Sequence, residues 1–321
     1  MKIAISYKLK SESWGGGNQF VKELIKAAEN QNHKVVYDLK DIDIDIILLT
    51  DPRSYNDEIT FGSFEIIRYL LFVNKNALVV HRINECDERK GTKHMNRFLR
   101  WSNYCADHTV FIASWLKDLN LYVKGTPNSV ILNGADPYIF RSYENSFWDG
   151  NSPLKIVTHH WSPNYMKGFD VYKNLDSLLA NSKDWERIIE FTYIGNIPKG
   201  FLFKKANHML PISGELLGRE LSKHHLYLSA SINEPAGMHH IEGALCGLPI
   251  IYRESGALPE YCNDFGISFE NTDYVPAIKK MLIEYKKYKE KISYYPYQSI
   301  KMTSNYLNLF SNLVLNRKKL V

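Results

Sequence analysis

The chain has 321 residues, 45% of them hydrophobic and 23% charged, which is enough apolar sequence to bury a large core and excludes a disordered chain. The 40 Lys and Arg against 35 Asp and Glu leave a net charge of +5, a mild excess compatible with phosphorylated ligands, an anionic membrane or nucleic acid, and diagnostic of none. The 4 Cys form no close-spaced ligand pair, so they read as reduced thiols of a cytoplasmic protein.

The N-terminal "MKIAISYKLK" is too short and polar for a signal sequence, and no run approaches the ~20 apolar residues that cross a bilayer. "KIAISY" reads as a buried strand, "SESWGGGNQF" as a glycine-rich turn, and "FVKELIKAAENQ" as a helix with Phe20, Val21, Leu24, Ile25 and Ala28 on its apolar stripe. Strands "KVVYDL", "DIDIDIILL", "ALVVH", "HTVFI" and "SVILNG" follow, separated by helices expected at 62–74, 93–105 and 114–121. The polar stretch 141–153, "RSYENSFWDGNSP", breaks this rhythm and marks the expected domain boundary. A second series then runs through "LKIVTHH", a helix from about Gly168, "IIEFTYIG", "HLYLSAS", a helix after Gly237, "LPIIY" and "FGISFE". Two long helices close the chain, "VPAIKKMLIEYKKYKEKI" and "SIKMTSNYLNLFSNLVL". The pattern is α/β with mostly parallel sheets in two halves, 1–146 and 150–297. It predicts a cleft between the halves and functional residues at the carboxyl ends of strands.

The strand-to-loop junctions supply the candidates. Gly15, Gly16 and Gly17 allow close approach of an anion at a helix start, or serve only as a tight turn; neither the dinucleotide-binding fingerprint nor the Walker A lysine is present. Trp14 beside them reads as packing or as a lid contact. His81 and Arg82 open the polar run "HRINECDERKG", which reads as an active-site loop or as an ordinary charged surface loop. In "THHWSPNYMKGFDVY", Lys167 is placed to reach a phosphate, and His159, His160 and Trp161 to contact a base or sugar or to fill the cleft.

"EPAGMHHIEGALCGLP" is the densest stretch. His239 and His240 are adjacent, so on a helix they point about 100° apart and cannot face one metal as an H-E-x-x-H pair does. Gly237 frees the helix start, its amides suit a diphosphate, and Glu242 lies one turn in, where a carboxylate accepts from two sugar hydroxyls. A carboxylate pair, Glu234 with Glu242, also suits glycoside hydrolysis, although the spacing leaves their separation open.

The spacing Glu234 to Glu242 followed by "GLPII" resembles the retaining glycosyltransferases of the GT-B fold, family 4. "VILNGADPYIF", "MKGFDVY", "FTYIG" and "SGALPE" occur in that family's order and extend the resemblance over nearly the whole chain. The resemblance implies two Rossmann-like α/β domains facing a central cleft. The first would hold a glycan or lipid-linked acceptor, and the second a UDP- or GDP-linked sugar, without a bound metal. The helix near 298–318 would cross back to the first domain. By position, Glu242 would bind ribose, Glu234 the donor sugar and Lys167 the diphosphate. The amides of Ala236, Gly237, Met238 and His239 would meet sugar or phosphate, the Gly15 to Gly17 loop would close over phosphate, and His81 would touch the reacting sugar. The family's Gly-Arg pair before the lysine is missing in "THHWSPNYMKG"; His160, Arg82 and Arg253 are the candidates to replace its charge. "EPAG" also stands where "EGFG" is common, so the sugar pocket is expected to differ.

The rival readings are a nucleotide-sugar epimerase or hydrolase on the same fold, and a nucleic-acid-binding protein using "ERKGTKHMNRFLRW" and "KKYKEKI", for which no recognised module is present. The same basic patches suit peripheral contact with the inner membrane surface.

Overall fold

Short apolar runs alternating with amphipathic segments fold as parallel strands and covering helices in a computed structural model, which describes residues 1–9, 15–54, 57–143 and 147–318. The chain divides into two compact units, Met1–Gly134 with Ser299–Val321, and Ala135–Gln298.

Unit 1 contains β1 (Lys2–Ile5), α1 (Gly16–Asn30), β2 (Lys34–Val36), β3 (Ile46–Leu49), α2 (Ser63–Phe72), β4 (Leu78–Ile83), α3 (Asp87–Lys90), α4 (Met95–Ser102), β5 (His108–Phe111) and β6 (Asn128–Val130). Its sheet order is β2-β1-β3-β4-β5-β6, with every pairing parallel. The central strands are buried on both faces, which is why "IILL" and "LVVHRI" read as continuous rather than alternating runs.

Unit 2 contains β7 (Leu154–His160), α5 (Phe169–Asn181), α6 (Lys183–Ile188), β8 (Ile189–Gly195), β9 (Asn207–Met209), α7 (Gly214–Leu221), β10 (Leu226–Ser229), α8 (His239–Leu245), β11 (Ile250–Arg253), α9 (Leu258–Cys262), β12 (Gly266–Phe269) and α10 (Val275–Ile292). Its order is β12-β11-β10-β7-β8-β9, again all parallel. The last helix, α11 (Ser299–Lys318), buries Met302, Tyr306, Leu307 and Phe310 in the core of unit 1. The Tyr306 ring lies 5.0 Å from Phe20 on α1, and burial of side chains this large contributes roughly 1.5–3 kcal/mol each.

Several local expectations give way to packing. The alternating "DIDID" is not strand, because Asp41 and Asp43 pair with the Lys2 ammonium and Asp45 accepts from the Lys2 backbone at 2.8 Å. Residues 114–121 form a short 3-10 turn, Ser114–Leu119, stopped by Asn120 at φ 53°. In the polar stretch after residue 140, Ser222 of unit 2 donates to the Arg141 carbonyl at 2.9 Å and accepts from the Tyr143 amide at 3.3 Å. Trp14 lies outside the described residues, as do 144–146 of the boundary stretch.

Candidate functional site

In unit 2, β7 sits between β10 and β8; the chain leaves β7 toward β8 and leaves its other neighbour β10 toward β11, so the connections diverge between β7 and β10. Ligands of open α/β sheets bind beyond the carboxyl ends of strands at such a switch point. His159 and His160 end β7, and the segment leading to Glu234 follows β10.

The Glu242 Oε2 lies 2.7 Å from Nε2 of His159. The Tyr227 hydroxyl lies 3.1 Å from the His159 Nδ1 and accepts from the His159 backbone N–H at 3.1 Å. Burial pushes the Tyr227 phenol far above its usual range, so it keeps its proton. That proton is donated to Nδ1, which leaves Nε2 to carry the imidazole hydrogen toward Glu242.

His160 turns the other way, with Nε2 2.8 Å from the Tyr172 hydroxyl. His239 Nε2 lies 2.8 Å from Ser229 Oγ. The His239 ring is 4.6 Å from that of His160 and 5.0 Å from that of His240. Desolvation holds His239 well below the ordinary imidazole range and His240 down to about 3, so both are neutral. No group of three or more His, Cys, Asp or Glu that could hold a metal occurs among the described residues.

Lys167 and Glu234 are joined, Nζ to Oε2, at 2.9 Å. Lys167 closes a 3-10 turn, and Gly168, at φ 104°, starts α5 with its Cβ position only 2.5 Å from Ala230 Cβ. Glu234 is fixed through its backbone, since its carbonyl accepts from the Ala257 amide at 2.8 Å. Gly256, at φ 59°, leaves no room for a side chain, since an added Cβ would lie 2.5 Å from the Glu234 N and O. The "SGALPE" loop therefore seats Glu234. Gly237 packs against the same groups, its Cβ position being 2.5 Å from His239 Nδ1 and 3.0 Å from the Glu234 carboxyl carbon. Ala236 and Met238 are buried beside it.

Lys167, His160, Glu234, Ala236, Gly237, Met238, His239 and Glu242 thus belong to unit 2, while Gly15, Gly16, Gly17, His81 and Arg82 belong to unit 1. Gly15 caps α1 and Gly16 and Gly17 are its first residues; no acidic residue lies in that first turn. An added Cβ on Gly15 meets nothing within 4 Å, so packing among the described residues does not demand glycine there. β4 runs on to Ile83, placing His81 inside the strand, opposite Leu49 and Thr109. The amide of Asn103 lies 3.2 Å from the His81 Nδ1, and burial lowers that ring's pKa to about 3. Arg82 is also interior: its guanidinium lies 3.8 Å from the Phe20 ring centroid and donates to Asn133 Oδ1 at 2.9 Å. Arg253 is held by Asp170, Nη2 to Oδ2, at 2.6 Å.

Beyond β4 the polar run is tied into the rest of unit 1 by its own carboxylates. Asp87 accepts from the Met95 and Asn96 amides at 2.9 and 3.1 Å, while Glu85 pairs with Arg53 and Lys90. Tyr172 and Tyr227 were not legible as site residues, because an apolar strand or helix pattern gives no sign that a buried tyrosine hydroxyl orients a neighbouring histidine.

Solved structures align with the chain over nearly its whole length. A sucrose-phosphate synthase from Thermosynechococcus elongatus covers 98% of it with 99% of its own chain, at 14% identity and a TM-score of 0.67. HepE of Anabaena, solved in complex with UDP-glucose, covers 97% with 100% of its own, at 12% identity and a TM-score of 0.68. The catalytic domain of starch synthase IV from Arabidopsis thaliana, bound to ADP and acarbose, covers 98% with 99% of its own, at 12% identity and a TM-score of 0.67. The chain has the GT-B fold. No protein-family model matches it, and no curated protein matches its sequence. At these identities the GT-B likeness speaks for architecture, two parallel sheets each covered by helices. No helix among the described residues is long and apolar enough to cross a membrane.

Proposed function

We propose that the chain is a retaining, metal-independent glycosyltransferase of the family 4 type. It moves a sugar from a UDP- or GDP-linked donor to a hydroxyl of a glycan or lipid-linked acceptor in the cytoplasm. Unit 2 takes the donor and unit 1 the acceptor. The observation that carries this reading is the pairing of Lys167 with Glu234 in the same site as the His159 and Glu242 pair, at the switch point of the unit 2 sheet. Nucleotides bound to the similar structures, UDP-glucose in HepE and ADP in starch synthase IV, support it.

In this reading Glu242, with Oε2 taken by His159, accepts from a ribose hydroxyl through Oε1. Glu234 contacts the donor sugar, and Lys167 turns from Glu234 to the diphosphate. The amides of Ala236 to His239 meet sugar or phosphate. The α1 start at Gly15 to Gly17, free of acidic residues, is assigned to phosphate, whereas His81, buried in β4 with its Nδ1 on the Asn103 amide, is given no contact with the sugar. The acceptor oxygen bonds to the anomeric carbon as the bond to the diphosphate breaks. The electron pair leaves with the diphosphate, an oxygen of which takes the acceptor hydroxyl's proton while Lys167 stabilises the developing charge, and attack on the face of departure retains configuration.

Calorimetric titration with nucleoside diphosphates and their sugars, repeated with Glu242→Ala, tests the donor site. Absence of binding by every member sinks the reading, and unchanged binding by the variant sinks the ribose role. Product stereochemistry tests retention. Donor turnover without transfer to any acceptor would favour the epimerase or hydrolase alternative.

A further inference from the structure

The basic segment around α4 has no role in the donor site. α4 buries Met95, Leu99 and Ser102, so its opposite face should be polar if it were only solvated. That face instead carries Arg97, Arg100, Trp101 and, one turn on, Tyr104, at spacings i, i+3, i+4 and i+7, all exposed. α2 repeats the pattern. It buries Ser63, Ile66 and Tyr69 and exposes Phe64, Arg68, Leu71 and Phe72, at i, i+4, i+7 and i+8. Phe72 is 79% and Leu71 70% exposed. The two helices adjoin, since the Phe64 ring lies 4.9 Å from Trp101 and Ser63 Oγ lies 3.1 Å from Ser102 Oγ. Lys75 and Lys93 add exposed cations at the margins. The exposed carboxylate on this face of α2, Glu65, accepts from the Gly62 amide as a helix cap.

We infer that this face of unit 1 docks on an anionic lipid bilayer, with Phe64, Leu71, Phe72 and Trp101 entering the interface and Arg68, Arg97 and Arg100 pairing with lipid phosphates. Aliphatic and aromatic tips flanked by arginine match the two components of interfacial binding, apolar burial and attraction to anionic headgroups. Trp and Tyr sit well at the headgroup level, having an apolar body and a polar tip. A second copy of this chain is the poorer occupant, because a self-complementary contact would place arginines against arginines. Nucleic acid fits the cations but gives Leu71 and Phe72 nothing to bury against. The inference is independent of the nucleotide site and fits a lipid-linked acceptor.

Co-sedimentation of the full chain with vesicles tests it, using phosphatidylcholine alone against phosphatidylcholine mixed with phosphatidylglycerol, at low and high salt. Binding is expected to the mixed vesicles and to weaken with salt. Leu71→Ser with Phe72→Ser, and separately Arg97→Glu with Arg100→Glu, should each lower partitioning on the order of tenfold or more. Thermal unfolding should hardly change, since these side chains are exposed. No binding to mixed vesicles, or binding unchanged in both variants, overturns the inference. So does concentration-dependent self-association abolished by the serine variant, or displacement from vesicles by single-stranded DNA at stoichiometric amounts. None of these outcomes depends on nucleotide-sugar binding, so the donor site stands or falls separately.

Discussion

His159 Nε2 and Glu242 Oε2 lie 2.7 Å apart, on two elements separated by 83 residues, and the tautomer that makes this contact is set by the Tyr227 hydroxyl behind the ring. Glu242 is 8% exposed, and a buried carboxylate oxygen left without a hydrogen-bond donor bears the full cost of its lost hydration. His159 therefore acts as a positioning residue. A hydrogen bond to a charged group is worth about 1.5–3 kcal/mol, so His159→Ala should weaken nucleoside diphosphate binding by roughly tenfold to a hundredfold. The 2′- and 3′-deoxy analogues should lose much less where the missing hydroxyl is the one that Glu242 holds. Calorimetry with both ligand sets checks this, and Tyr227→Phe should give the same pattern more weakly. Equal losses for ribo and deoxy ligands would place Glu242 elsewhere than the ribose.

Much of this site was visible in the sequence as separate marks. Glu234 and Glu242 flank the start of a small-residue helix, and Lys167 with Gly168 opens another, because glycine and charge at strand exits are local signals. What joins them is not local. The turn of His159 toward Glu242 and of His160 toward Tyr172 depends on which faces β7 presents, and two consecutive residues of a strand point to opposite sides. Arg82 looked like the mouth of a loop, yet β4 continues through it and Phe20 receives its guanidinium. That partner, supplied by α1, has no trace in the run "HRINECDERKG" itself. The outer strand β9 is only 3 residues long and carries no apolar alternation, so no pattern announced it.

Lys167 and Glu234 hold each other at 2.9 Å, both largely shielded from water. If the ammonium transfers to the diphosphate during the reaction, Lys167→Ala should reduce kcat/KM by roughly 10²–10³-fold, the range found when one stabilising donor is deleted at developing charge. Glu234→Gln should leave nucleoside diphosphate binding close to wild type and depress turnover of the intact sugar donor. Steady-state kinetics with donor and with free diphosphate as inhibitor separate the two effects. Loss of diphosphate affinity in the glutamine variant alone would reverse the assignment.

Gly256 and Gly125 both have positive φ, 59° and 101°, but only Gly256 has neighbours. Alanine at Gly125 pays only the backbone strain of the left-handed region, about 1–2 kcal/mol. Alanine at Gly256 must also displace the Glu234 backbone, 2.5 Å from the new Cβ. Gly256→Ala should therefore lose donor turnover more than tenfold while the far-ultraviolet dichroism is kept, and Gly125→Ala should keep turnover near wild type. Equal turnover in the two variants would show that the 255–257 loop does not set the position of Glu234.

His240 is fully buried on α8 with neither ring nitrogen hydrogen-bonded among the described residues. Its ring packs edge-on against Tyr261 at 5.1 Å. Burial lowers its pKa from 6.5 to about 3, and His81 shows the same shift. Between these values the unfolded chain binds the proton and the folded chain does not, so stability rises with pH and is lost as pH falls below 6.5. At pH 5.5 the loss is about 1.4 kcal/mol for each such imidazole. Urea unfolding followed from pH 7.5 down to 5.5 should show this decline. His240→Phe removes one titrating group and an unsatisfied polar ring in one step. Its acid limb should be shallower by about 1.4 kcal/mol over that interval, and its stability at pH 7.5 equal to or above wild type, because no hydrogen bond is given up. A steep acid limb retained in the phenylalanine variant would mean that His240 is already protonated in the folded chain.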